Sequence, residues 1–262
     1  MTHQYRPIKY SLGEKLLHGF NQIVNGFPSI ISFEVSKACN RRCSYCPQSI
    51  APERQQIVSP IVWSKFIQRL QEYRWDGRVG FIDYNELSLV PKSEQYIKDV
   101  SEAGCRPIVY SNGDFPEVIQ KWIDSGAAYI VITKHQPSKP EWQTGIDKLL
   151  EHPDNHRLIT VREILKPDNR GGLVEGSGNE RLRIFNAIPF ITVPRCWTHT
   201  SGMVIGTDGT VAICTLDYHK QTNFGNIMTS SIEQIWDGQL KAARKMSRSG
   251  KPATDICVAC LK

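Results

Sequence analysis

The sequence predicts an α/β fold: a parallel sheet closed or partly closed into a barrel, followed by a small C-terminal unit built on a β-hairpin and a helix. Three observations predict it. From residue 29 to about 165, β-rich segments alternate with helix-like ones over short connections, the pattern of β-α-β crossovers in a parallel sheet. After about residue 166 the alternation stops and a Gly-rich polar stretch begins. The 262 residues suffice for one large α/β domain with a small appendage.

Each element follows from local signals. SIISFEVS (29–36) is rich in β-formers and runs straight into CNRRCSYC, which places that cluster on the loop after the first strand. Ser59 and Pro60 read as an N-cap and first helical position, with Ile61, Phe66, Ile67 and Leu70 on helical spacing. RVGFIDYN (78–85) is the second strand, SEQYIKDVSEAG (93–104) a helix stopped by Gly104, and RPIVYSN (106–112) the third strand. PEVIQKWIDSG (116–126) is a helix closed by Gly126, AAYIVITKH (127–135) the fourth strand, PEWQTGIDKLLEH (140–152) a helix, and RLITVREIL (157–165) the fifth strand. KPDNRGGLVEGSGNE is a polar loop or linker. MVIGTDGTVAIC (203–214) reads as a hairpin turning at Asp208-Gly209, and SSIEQIWDGQLKAARKMSRSG offers a helix before DICVAC. Chemistry in such barrels gathers at the C-terminal strand ends, where the first cysteine loop lies.

The composition is 40% hydrophobic and 22% charged, and no apolar run approaches the roughly 20 residues of a membrane span. The N-terminus lacks the apolar core of a signal peptide, so a soluble, cytoplasmic protein in a reducing compartment is expected. There, eight cysteines read as metal ligands before disulfides. The net charge of +6 is spread without a dense Lys/Arg block. That argues against nucleic acid and suits an anionic cofactor or substrate.

Cys39, Cys43 and Cys46 are spaced C-x3-C-x2-C, and no histidine lies between residues 19 and 134 to complete a local zinc site. A three-thiolate set leaves a metal position open. Cys196, Cys214, Cys257 and Cys260 form a second set, suited equally to a structural zinc ribbon and to an iron–sulfur cluster. Cys105, the odd thiol, reads as a buried small hydrophobe.

A C-x3-C-x2-C loop after the first strand of a parallel barrel, with Tyr45 before its last cysteine, resembles the radical S-adenosylmethionine (radical SAM) enzymes. The resemblance implies a partial or full (β/α)6 barrel over residues 25–190, preceded by an extension over 1–24. It implies a 4Fe-4S cluster on Cys39, Cys43 and Cys46, whose open iron takes S-adenosylmethionine. Reductive cleavage then yields a 5′-deoxyadenosyl radical that abstracts hydrogen from a substrate C–H bond. It further implies cofactor contacts from Tyr45, Asn85, Glu86, Ser111, Asn112, Thr133 and Arg162, the last as a grip for the methionine carboxylate. Tyr84-Asn85-Glu86-Leu87 departs from the Gly-Glu-Pro of relatives and keeps only the Glu. Lys134, His135 and Arg170 are the catalytic candidates at the mouth, with Arg170 either presented to the site by its loop or part of a simple turn.

The second cysteine set, over residues 191–262, resembles the twitch form of the SPASM/twitch extension. It implies one auxiliary 4Fe-4S cluster, two in all, with Asp217 and Tyr218 nearby. The implied reaction is oxidation or epimerisation of a polar small molecule, an aminocyclitol or sugar, fed by a flavodoxin- or ferredoxin-type electron donor. Two other readings stay open at this level. One is a maturase of a ribosomally made peptide, which needs a separate leader-peptide-binding protein because 24 residues precede the barrel. The other is a non-enzymatic metal-binding module.

Overall fold

Strands buried on both faces read as unbroken apolar runs, and the runs predicted from sequence become the central strands here. The structure is a computed structural model that describes residues 27–52, 56–73, 75–135, 138–163, 169–174, 196 and 201–260. Outside the described residues lie the expected N-terminal extension, the polar stretch after residue 174, and His199, which the sequence reads as a surface residue between Cys196 and Cys214.

Numbered in chain order, the described strands are β1 (Ile30–Phe33), β2 (Arg78–Phe81), β3 (Arg106–Ser111), β4 (Tyr129–Lys134), β5 (Ile159–Glu163), β6 (Gly202–Ile205) and β7 (Val211–Ala212). They form one sheet in the order β5-β4-β3-β2-β1-β6-β7. The first six run parallel, and β7 folds back antiparallel on β6. Among the described strands the order ends at β5 on one side and β7 on the other. The hairpin's first strand pairs with β1 from Ile30↔Gly202 to Phe33↔Ile205. The C-terminal unit therefore extends the same sheet.

The helices are α1 (Pro60–Glu72), α2 (Ser93–Glu102), α3 (Pro116–Asp124), α4 (Trp142–Leu150), a turn α5 (Asn155–Leu158), α6 (Ile232–Asp237), α7 (Gln239–Arg248) and α8 (Asp255–Cys260). Ser59 caps α1 as expected, its hydroxyl accepting from the Val62 N–H at 3.3 Å. Gly126, at φ 98°, takes the left-handed conformation that ends α3. The single helix expected near the C-terminus is two. At Gly238 (φ −92°, ψ −110°) the chain breaks, and any Cβ there would lie 2.5 Å from the Gln234 carbonyl oxygen.

Apolar packing between sheet and helices supplies the cohesion. Phe33 packs on Phe66 and Trp63 at ring-centroid distances of 4.5 and 5.3 Å, and Trp122 is fully buried with its indole N–H donating to Ser93. Each such side chain contributes about 1.5–3 kcal/mol. Cys105 is buried, its thiol against the Trp75 carbonyl at 2.9 Å, and burial pushes it up to about 12. Among the described residues no helix is long and apolar enough to cross a membrane.

Candidate active site

The loop after β1 is held from both sides by the loops after β2 and β3. The Asn85 amide donates to the Ser36 carbonyl at 2.5 Å, and the Glu86 N–H to that of Ala38 at 2.8 Å. The Gln48 amide bridges the carbonyls of Lys37 and Tyr84. On the other side Asp114 accepts from Asn40 and from two nitrogens of Arg41. That fork is the bidentate geometry that makes guanidinium–carboxylate pairs directional. It carries the backbone of Cys39, Cys43 and Cys46 to the C-terminal ends of the strands.

Around that loop lies a cavity of ≈ 200 Å³ lined by Cys39, Cys43, Cys46, Tyr45, Asn85, Glu86, Ser111, Asn112, Thr133, His135, Arg162 and Arg170. Lys134 is the exception among the barrel residues expected there. Side chains alternate along a strand, so with Thr133 facing in, Lys134 turns out, its ammonium over the Trp142 ring and 3.3 Å from the Gln143 amide oxygen. Arg41, Asp83, Tyr84, Tyr110 and Thr215 also line the cavity. Tyr84 was noted from sequence only as part of the Tyr84–Leu87 motif and the others were not singled out; Arg41, Asp83, Tyr84 and Thr215 lie on loops whose geometry no local periodicity encodes, and Tyr110 lies on β3.

Several of the polar residues spend their hydrogen bonds on the scaffold. Glu86 is buried and accepts from Ser88 N, Ser88 Oγ, Ser111 Oγ and Asn112 N at 2.7–3.1 Å. Burial raises its pKa while those donors pull it down. An all-donor surround is that of a carboxylate. Asn112 donates to Asn40 and accepts from the Asp114 N–H. Arg162 spans the Thr133 hydroxyl and the Tyr110 ring.

His135 Nδ1 shares a hydrogen bond with the Tyr45 hydroxyl, the two rings near-parallel at 5.9 Å. Burial, and then the nearby Arg41, lower its pKa to about 4. Burial also raises the thiols, Cys39 to about 11 and Cys46 in the same direction. Three soft thiol donors beside a cavity rimmed by Arg41, Arg162 and Arg170 fit an anionic, thiolate-held iron–sulfur cluster with an anionic co-ligand.

The second cysteine set converges from separate elements. Cys214 follows β7, and Cys257 and Cys260 lie on α8. Cys214 is near enough to feel the charges of Cys196 and Cys257, and burial raises its pKa strongly. Among the described residues no three His, Cys, Asp or Glu side chains close on one point as they would around a single ion.

The turn Arg170–Gly172 packs against α8: Asn169 donates to the Ala259 carbonyl at 3.0 Å. The same turn sends the Arg170 guanidinium the other way, over the Tyr84 ring and to the Tyr45 carbonyl at 3.4 Å. The Gly-rich loop thus presents Arg170 to the cavity. Asp217 and Tyr218 are structural by contrast. The Asp217 carboxylate closes its own turn on Gln221 and Thr222, and Tyr218 donates to the Ala51 carbonyl at 2.8 Å.

Known proteins match both halves of this arrangement. Residues 196–261 match the SPASM family, an iron-sulfur cluster-binding domain. An S-adenosyl-L-methionine-dependent 2-deoxy-scyllo-inosamine dehydrogenase of Niallia circulans is 26% identical over 240 residues, 88% of this chain and 92% of the relative. The crystal structure of BtrN in complex with AdoMet and 2-DOIA superposes with a TM-score of 0.74 at 25% identity, covering 88% of this chain and 92% of that one. Streptococcus suis SuiB bound to precursor peptide SuiA shares the fold at a TM-score of 0.52 and 13% identity, over 92% of this chain and 74% of that one. With the cysteine loop at the strand ends, the chain is similar over most of its length to S-adenosylmethionine-dependent radical enzymes, and its residues 196–261 match the SPASM iron-sulfur cluster-binding domain.

Proposed function

We propose that the protein oxidises a hydroxyl-bearing carbon of an aminocyclitol or similar polar small molecule, with S-adenosylmethionine and two 4Fe-4S clusters as cofactors. The observation that carries this reading is the similarity to the 2-deoxy-scyllo-inosamine dehydrogenase over 88% of this chain and 92% of the relative. It is supported by a cavity whose lining runs from the Cys39–Cys46 loop to Thr215, the neighbour of Cys214. Cys39, Cys43 and Cys46 would hold one cluster in a barrel over residues 25–190. Cys196, Cys214, Cys257 and Cys260 would hold the other in a unit over 191–262. When bound, these cofactors would supply hydrogen-atom abstraction at the carbinol carbon and an acceptor for the remaining electron, the hydroxyl proton leaving to give the ketone.

The chain's own residues do the rest. Arg162, braced by Thr133 and Tyr110, suits the methionine carboxylate of S-adenosylmethionine. Arg170 offers a fixed cation to substrate oxygens, and His135 with Tyr45 forms a neutral hydrogen-bonding pair on the wall. A flavodoxin- or ferredoxin-type protein would deliver the electron. The test is anaerobic reconstitution, then dithionite, S-adenosylmethionine and 2-deoxy-scyllo-inosamine. A ketone product with stoichiometric 5′-deoxyadenosine is expected. 5′-Deoxyadenosine without any oxidised aminocyclitol would leave the radical chemistry and remove the substrate class.

A further inference from the structure

A buried ion cluster joins the C-terminal unit to the sheet. The Lys220 ammonium stands 2.8 Å from Asp83 Oδ2 and 3.8 Å from Glu34 Oε1, and donates to the Asp217 carbonyl at 3.3 Å. Side-chain exposures are 7% for Lys220, 1% for Asp83 and 4% for Glu34. Glu34 directly follows β1 and its N–H donates to the last residue of β6 at 2.8 Å, while Asp83 lies two residues past β2 and lines the cavity. Burial alone would discharge Lys220, but Asp83 and then Glu34 outweigh it and hold the ammonium charged.

The turn carrying Lys220 is stiff. Asp217 accepts from Gln221 N and Thr222 N at 2.9 and 2.8 Å and also from the Thr222 hydroxyl. The Asp217 N–H donates to the Cys214 carbonyl at 3.2 Å, and the Thr222 hydroxyl accepts from the Ile213 N–H at 2.9 Å. Lys220 itself sits at φ 51°, a left-handed conformation that a residue with a side chain keeps only where its surroundings over-determine it.

We infer that Lys220 is a positioning residue: its ammonium, held between Asp83 and Glu34, clamps the turn bearing Cys214 and Thr215 onto the ends of β1 and β2. This deepens the proposed function and rests on it, because the clamp sets how far the second cysteine set stands from the reacting carbon. A buried ion pair is a weak source of stability but a directional one. Displacement of about 1 Å at a reacting centre costs up to roughly a hundredfold in rate. Electron transfer likewise falls steeply with distance.

The test is Lys220→Met in reconstituted holoprotein, read two ways. In hydrogen–deuterium exchange, amides of residues 214–222 should exchange at least roughly tenfold faster while those of β2 to β5 keep their protection. In turnover, 5′-deoxyadenosine should still form, but its ratio to ketone product should rise several-fold above wild type. Glu34→Gln, which weakens the clamp and keeps the Lys220–Asp83 pair, should shift both readouts in the same direction and serves if Lys220→Met does not fold. Wild-type exchange at 214–222, or a parallel loss of 5′-deoxyadenosine and product at an unchanged ratio, would overturn the inference. Exchange needs no substrate, so a wild-type enzyme that leaves 2-deoxy-scyllo-inosamine untouched defeats the substrate reading while the clamp still stands or falls on its own result.

Discussion

Glu86 shows how a residue next to a reaction acts through its neighbours. Its four donors come from the 3-10 turn Leu87–Leu89 and from the end of β3, so it ties two strand ends together beneath the cavity. Glu86→Gln would put an amide N–H against a donor and should cost about 2–3 kcal/mol in denaturant unfolding; a change under about 0.5 kcal/mol would contradict the scaffold role. His135 makes a prediction about pH. Its pKa is lowered in the folded state from 6.5 to about 4, so the unfolded chain takes up the proton first as pH falls. Stability is therefore intact above pH 6.5 and declines between there and 4. The melting temperature of wild type minus that of His135→Gln should fall as pH drops from 7.5 to 5.5. A constant difference would show that His135 is not buried as a neutral ring. Arg41 matters at the same scale. From sequence it was one of two arginines between cysteines, and only its fork on Asp114, 73 positions away, distinguishes it from Arg42.

At the scale of elements, the turn Arg170–Gly172 is the informative one. A Gly-Gly pair after an arginine is legible as a turn, but the helix it abuts is not. Gly172, at φ 88°, would bring a Cβ to 3.0 Å from that of Ala259 on α8. Gly172→Ala should cost about 1–2 kcal/mol for the left-handed backbone alone and push the turn off the helix bearing Cys257 and Cys260. In a Cys39/Cys43/Cys46→Ala background it should lower the remaining iron content; unchanged iron would mean the turn does not support α8. The five α/β strands and their intervening helices were readable because their signals are local: apolar runs, a Ser-Pro start, and Gly stops. The split at Gly238 was passed over although Asp237-Gly238 is a local turn signal inside the predicted helix, and the break answers a close approach to the Gln234 carbonyl.

At the scale of the molecule, the two cysteine sets should separate in a variant series. Cys43→Ala should abolish 5′-deoxyadenosine formation. Cys257→Ala should leave part of it while stopping substrate oxidation. Wild type should reconstitute with about eight iron atoms per chain, and each variant with about half; zinc in either set would contradict that stoichiometry. The sequence by itself determined the parallel α/β class, the cysteine loop after the first strand and most of the cavity wall, because strand alternation and ligand spacing are short-range properties of the chain. It did not determine that β6 would pair with β1, that Lys134 would face outward while Arg41, Tyr110 and Thr215 face in, or that Lys220 would find Asp83. Those depend on which distant segments share a surface. Sheet order, loop closure and burial of charge settle that, and they are set only when the whole chain packs.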